Sequence, residues 1–238
     1  VFDINGILHQ GRSDIEKIKQ AYCVTEKYKN FTLADAMKDA DVFLGLSVGN
    51  VVTKEMVKAM AKNPIVFALA NPDPEISYTD GTESRKDLIM ATGRSDFPNQ
   101  VNNVLGFPYI FRGALDVRAT QINETMKLAA VKALADLAKS PVPTIVNLAY
   151  NDNTIFFGRD YIIPKPIDPR LLVTVAPAVA KAAMQSGVSR QAIGDWEAYE
   201  QELNHRLGLD NQLSRVISAK ARKDPKRVVF ADGENVKI

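Results

Sequence analysis

A chain of 238 residues, 46% hydrophobic and 24% charged, has the balance of an ordinary globular protein, with enough length for one substantial core or two smaller ones. Its 30 basic and 28 acidic residues leave a formal charge of +2, which gives no nucleic-acid footprint, and no apolar run approaches the roughly 20 residues needed to cross a bilayer. Cys23 is the one cysteine, so an intrachain disulfide is excluded and a reducing cytoplasm is the expected setting.

Val1-Phe2-Asp3 lacks an initiator Met and reads as the last residues of a strand. The far end stops just after the strand-like Val228-Val229-Phe230, so the expectation is a segment of a larger polypeptide. Ser13-Asp14-Ile15-Glu16 fits a capping box and predicts a helix to about Tyr22. Thr32 and Thr53 predict two further helix starts, the second helix running to about Ala61. Asp41 to Ser47, Ile65 to Ala70 and Leu88 to Ala91 are apolar runs that read as buried strands. Strands spaced by helices of about 8–12 residues predict an α/β fold with a parallel sheet of βα units.

From Asn103 onward almost no strand is expected. Asn123 to Lys139 is rich in Ala, Leu and Lys and predicts a helix, with Leu128, Val131, Ala135 and Ala138 as its apolar stripe. Pro141 and Pro143 end it, and Asn147 to Arg159 reads as a loop or short helical piece. Pro164, Pro166 and Pro169 keep Ile163 to Arg170 extended. Leu171 to Ser186 predicts a second long helix, with Pro177 as a kink or start and Gly187 as its C-terminal cap. Ser189 is the expected cap of a third, Arg190 to Leu207, with Trp196, Tyr199 and Leu203 on one face.

The run Ala91 to Asn103 carries the most chemistry. A buried strand ends at Gly93, and a guanidinium, a carboxylate and several amides follow. Open α/β sheets bind ligands at such strand ends, although a solvated turn has the same composition. Asn71 precedes Pro72, which biases it to an extended backbone at the sheet's carboxyl edge. Asn103, and less clearly Asn102, offer amides that donate to a carboxylate and accept from a hydroxyl. Ser47 lies in the glycine-bounded turn Gly45 to Gly49, open to close approach of a dinucleotide or simply an ordinary turn. Asp3 reads either as a turn residue or as a carboxylate for an adenosine ribose, with Arg12, Lys17 and Lys19 nearby as phosphate-attracting groups. The G-x-G-x-x-G fingerprint of dinucleotide folds is absent from the chain and is expected upstream. Asp73, Glu75 and Asp96 invite a metal reading, but their spacing matches no metal motif, and His9 and His205 show no partner pattern.

The run TGRSDFPNQVNNVLGFPYIFRGALDV, together with ALANPDPE (Ala68 to Glu75) and YIIPKPIDPR (Tyr161 to Arg170), resembles the signature of bacterial malic enzymes, from Val1 to about Pro225. The resemblance implies a truncated Rossmann-like dinucleotide domain over 1–105 and a helical region over 106–219. Over 220–238 it implies a linker into a phosphate acetyltransferase-like domain, as in the hybrid type. Ala231-Asp232-Gly233-Glu234 matches that type's Pro-Glu-Gly-Glu run only in part. It implies oxidative decarboxylation of malate to pyruvate and CO₂ with NADP, or else NAD, in a cytoplasmic homo-oligomer. Asn71 and Asn103 would bind substrate, and Asp3, Ser47 and Asn71 cofactor. The catalytic tyrosine and lysine, and the acids that hold Mg²⁺ or Mn²⁺, would lie upstream, so residues 1–238 alone are expected to be inactive. No nucleic-acid or membrane partner is expected; the competing readings are a non-catalytic cofactor-binding or oligomerisation module of a larger protein, and an acyltransferase if the domain after Val228 dominates.

Overall fold

The computed structural model describes residues 1–152 and 155–208. The expected linker and domain start over 220–238 lie outside them.

Phe2–Asp3 is a strand as expected, β1, and it pairs antiparallel with β2 (Gly6–Ile7) in a small hairpin. The capping box at Ser13 does not form. A short 3₁₀ helix occupies Lys17–Tyr22 instead, with Glu16 at its N-cap and no side-chain cap bond. The physical reason lies in Asp14, whose carboxylate is drawn onto the Arg12 guanidinium (2.7 Å) and away from a first helical turn.

The cap expectations at Thr32 and Thr53 hold. Thr32 and Asp35 form a reciprocal capping box on α1 (Leu33–Met37), and the Met56 N–H donates to Thr53 Oγ1 at the start of α2 (Lys54–Lys58). Three parallel strands follow in spatial order: β3 (Val42–Gly45), β4 (Ile65–Ala68) and β5 (Ile89–Thr92). Between β4 and β5 lies α3 (Tyr78–Ser84), which the sequence reading missed and which Ser77 caps.

Register pairs Phe43, Val66 and Met90 across one face of the sheet. That face forms a core with Met37, Val57, Met60 and Ile76 from the helical side. β3 is not buried as expected. It is the edge strand, and Val42 and Leu44 on its other face are 57% and 59% exposed.

A second core lies in the helical layer. It comprises α4 (Phe107–Asp116), α5 (Glu124–Lys139) and α7 (Arg170–Gln185), with α6 (Thr144–Ala149) between the last two. Asn123 caps α5, and Gly187, at φ +73, follows α7 as expected. Pro177 lies inside α7. Gly113 lets α4 approach α7 closely, since a Cβ there would meet Ala176 O at 2.4 Å.

Two helical expectations are corrected. The buried side of α5 is Met126, Ala130, Leu137 and Ala138, while Leu128 and Val131 face outward. α7 packs against the alanine-rich side, where small side chains allow close approach. The third helix starts at Trp196, not at Arg190. Arg190 and Gln191 both donate their backbone N–H to Val117 O, which holds that stretch out of a helix. Asp195 then caps the Ala198 N–H, and Trp196, Tyr199 and Leu203 share one packed face as expected.

Candidate functional site

All three parallel strands point their carboxyl ends to one edge, and their exit turns carry most of the residues that the sequence singles out. Ser47 follows β3, Asn71 follows β4, and the loop from Gly93 to Asn103 follows β5.

Glu75 organises the first two turns. It is fully buried, and among the described residues it forms no ion pair. Its Oε1 accepts from the Ser47 N–H (2.8 Å) and hydroxyl (3.1 Å), and its Oε2 accepts from the Ala70 N–H (3.1 Å). Gly45 is required for this arrangement, since a Cβ there would stand 2.3 Å from the Glu75 carboxyl carbon. The chain after β3 is tied to the same place, because Val52 N–H donates to Glu75 O at 2.9 Å. Of the three acids considered for a metal, Glu75 is thus an internal acceptor and Asp96 is paired with Arg94 at 2.7 Å. No group of three metal-ligating residues exists among the described residues.

Asn71 is exposed, and its amide Nδ2 makes one long bond, 3.4 Å, to Leu69 O. It faces the β5 exit turn. A Cβ built on Gly93 would lie 3.5 Å from Asn71 Oδ1 and 3.8 Å from Val101 O. Val101 N–H in turn donates to Thr92 O at 2.8 Å, which folds the loop back on β5 just before Asn102 and Asn103. Asn102 takes the structural part, since its Oδ1 accepts from the Val104 N–H (3.0 Å) and caps the turn Asn103–Leu105. Asn103 is exposed.

Asp3 is not joined to these turns by strand pairing. It stands on the β1–β2 hairpin, where Arg12 Nη1 and Nη2 each donate to one of its oxygens at 2.9 Å. The hydrogen bond from Arg12 is the main influence that holds its carboxyl below the ordinary 3.8, against the opposing effect of desolvation. His9 Nδ1 accepts from the Gly11 N–H, a local turn bond.

Sequence reasoning missed Asn99. It is 2% exposed and adopts φ +54, a backbone region that asparagine tolerates better than most residues. Its Nδ2 donates to Met90 O (2.9 Å) and Arg159 O (2.6 Å), and its Oδ1 accepts from the Ile162 N–H (2.9 Å). The β5 loop is thereby stitched to a segment far along the chain. Arg159 adds bonds to Lys86 O and Asn63 Oδ1 across the same junction. A cavity of about 390 Å³ opens beside this seam, lined in part by Ser95, Phe97, Tyr150 and Lys165. The Lys165 ammonium lies 4.8 Å from the centre of the Tyr150 ring, and burial pushes it below its ordinary 10.5 against the pull of Asp152 and Asp160. The clustering of prolines around Lys165 was legible, but its approach to Tyr150 was not.

A parallel sheet whose exit turns gather polar groups at one edge defines the nucleotide-binding class of α/β domain. The chain belongs to the malic enzyme family: residues 1–148 match its NAD binding domain. It is 52% identical over 239 residues to the NADP-dependent malic enzyme of Escherichia coli (strain K12), a match that covers 100% of this chain and 31% of that protein. To the NAD-dependent malic enzyme of Rhizobium meliloti (strain 1021) it is 46% identical over 240 residues, with 100% and 31% covered. The crystal structure of Entamoeba histolytica malic enzyme superposes with a TM-score of 0.77 at 34% identity, over 95% of this chain and 45% of that one. The chain thus spans about a third of the length of the curated relatives it matches (31%).

Proposed function

We propose that the protein to which this chain belongs oxidatively decarboxylates malate to pyruvate and CO₂, and that this chain supplies the dinucleotide crevice and part of the substrate cradle. The observation that carries the reading is the pair of exposed amides, Asn71 and Asn103, on the exit turns of adjacent strands in a chain of this family. The amide NH₂ groups donate to the malate carboxylates and one amide oxygen accepts from the single hydroxyl, which orients the C2 hydrogen towards the crevice. Asn71, with Ser47 and Asp3, is assigned to the dinucleotide. The residues present fit such a group, since Ser47 and Asn71 are exposed on the turns after β3 and β4, at the edge where α/β sheets bind nucleotides. When bound, the nicotinamide supplies the hydride acceptor.

The described residues do not fit a divalent ion; Mg²⁺ or Mn²⁺ would need ligands from the rest of the protein. NADP is the preferred dinucleotide in this reading. It is supported by the names of the Escherichia coli and Salmonella typhimurium relatives at 52%, against 46% for the NAD-dependent one. The sheet half, 1–105, serves the dinucleotide and the helical half, 106–219, closes the site; two separate hydrophobic cores support that division. The reading extends to a cytoplasmic homo-oligomer in which 220–238 lead into a phosphate acetyltransferase-like domain.

The test uses the full-length protein with malate, NADP or NAD, and Mg²⁺ or Mn²⁺. Asn71→Ala and Asn103→Ala should each lower kcat/KM for malate by about ten- to a thousandfold, the scale of a lost hydrogen bond to a charged group, at a near-native melting temperature. Wild-type kinetics in both variants would end the assignment.

A further inference from the structure

We infer that Glu75 is a positioning residue, which fixes the Ser47 turn against the Ala70–Asn71 turn and so sets the geometry in which dinucleotide and substrate meet. The inference rests on the proposed roles of Ser47 and Asn71.

A buried carboxylate without a cation is costly unless donors surround it. Glu75 is fully buried, and its donors are the Ser47 N–H and hydroxyl and the Ala70 N–H. They belong to the exit turns of two different strands, β3 and β4. A residue that merely filled the space would need no oxygens, and a leucine or methionine there would avoid the desolvation cost. The carboxylate is explained by what it joins.

The two backbone N–H groups only donate, and they approach different oxygens of Glu75. Both oxygens must therefore be acceptors. Glutamine has the same shape but only one acceptor, so its NH₂ would confront one of the two donors whichever way it turned. Gly45 leaves the space that the carboxylate occupies, since a Cβ would come within 2.6 Å of both oxygens. Strand end, acceptor and turn are thus mutually dependent, and Asn71 follows directly on the bonded Ala70.

Full-length Glu75→Gln, Gly45→Ala and Val57→Ala test this. Val57 is fully buried in the same core but bonds to neither turn through its side chain, so its truncation destabilises without touching the link. Glu75→Gln should raise KM for the dinucleotide about tenfold or more and lower kcat/KM for malate by a similar or larger factor. Gly45→Ala, which displaces the carboxylate without changing it, should shift both in the same direction, and it decides the matter if Glu75→Gln does not fold. Val57→Ala should lower the melting temperature with KM values within about twofold of wild type.

Hydrogen exchange at the Ser47 and Ala70 amides, and calorimetry with NADP and NAD, give readouts that need no turnover. Exchange at both amides should quicken in the Glu75 and Gly45 variants, and dinucleotide affinity should fall. A wild-type protein without malate-dependent NAD(P) reduction would defeat the functional reading, while exchange and calorimetry would still decide the role of Glu75. Unchanged exchange and affinity in Glu75→Gln, or equal KM shifts in Val57→Ala, would overturn the inference.

Discussion

Replacing Asn99 with alanine removes three hydrogen bonds at a site that is 2% exposed and leaves Met90 O, Arg159 O and the Ile162 N–H without their partner. A buried group left unpaired costs about 1–3 kcal/mol, and the low end suits partners that are only part-buried, as Arg159 O and the Ile162 N–H are. Taking the low end for all three groups gives about 3 kcal/mol. Alanine at φ +54 adds about 1–2 kcal/mol of backbone strain, which glycine would avoid. The expected loss is therefore about 4–5 kcal/mol for Asn99→Ala and about 3 kcal/mol for Asn99→Gly, which avoids the strain. Asn99→Asp keeps the acceptor for Ile162 but turns an oxygen towards two carbonyls, so it should be at least as damaging as alanine. For a cooperative unit of this size the alanine variant should melt about 8 °C or more below wild type. The assay is thermal unfolding of the full-length protein, with hydrogen exchange at Ile162 to show that the loss is at this seam. An alanine variant that melts within about 2 °C of wild type, with Ile162 equally protected, would refute the reasoning.

Gly113→Ala should destabilise the helical layer by about 1–3 kcal/mol, because its methyl group would meet Ala176 O and Val179 where α4 crosses α7; a thermal melt of the full-length protein checks it. Asp3→Ala should raise KM for the dinucleotide and leave that for malate largely unchanged. It also frees Arg12 from one of its two carboxylate partners, so NADP should suffer less than NAD; an effect confined to malate would move Asp3 elsewhere in the site.

What could be read before folding was local. Thr32, Thr53 and Asn123 bond to backbone groups three residues ahead, and Gly187 accepts a left-handed φ just past α7. The partners in such bonds are neighbours in the chain, so the sequence alone determined those helix ends. It also determined β4 and β5, whose unbroken apolar runs suit strands within a layered sheet. Asn71 and Asn103 stood out for the same reason, as amides set against apolar strands and turn residues.

Tertiary structure decided the rest, wherever a residue's partner lies far along the chain. Glu75 reads as a possible metal ligand in isolation, but 28 residues separate it from the Ser47 turn that claims it. Asn99 reads as a turn residue until Arg159, 60 residues on, supplies its second carbonyl. Ser13 and Ser189 carry the right side chains for helix starts and make none. Asp14 is held by Arg12, and the backbone beyond Ser189 is held by Val117 O. The buried side of α5 depends on where α7 lies, and alanine fits either side of a helix equally well. Hydrophobic pattern and capping chemistry act over a few residues, whereas a buried polar group takes whichever partner the packed layers bring to it, and only the fold specifies that partner.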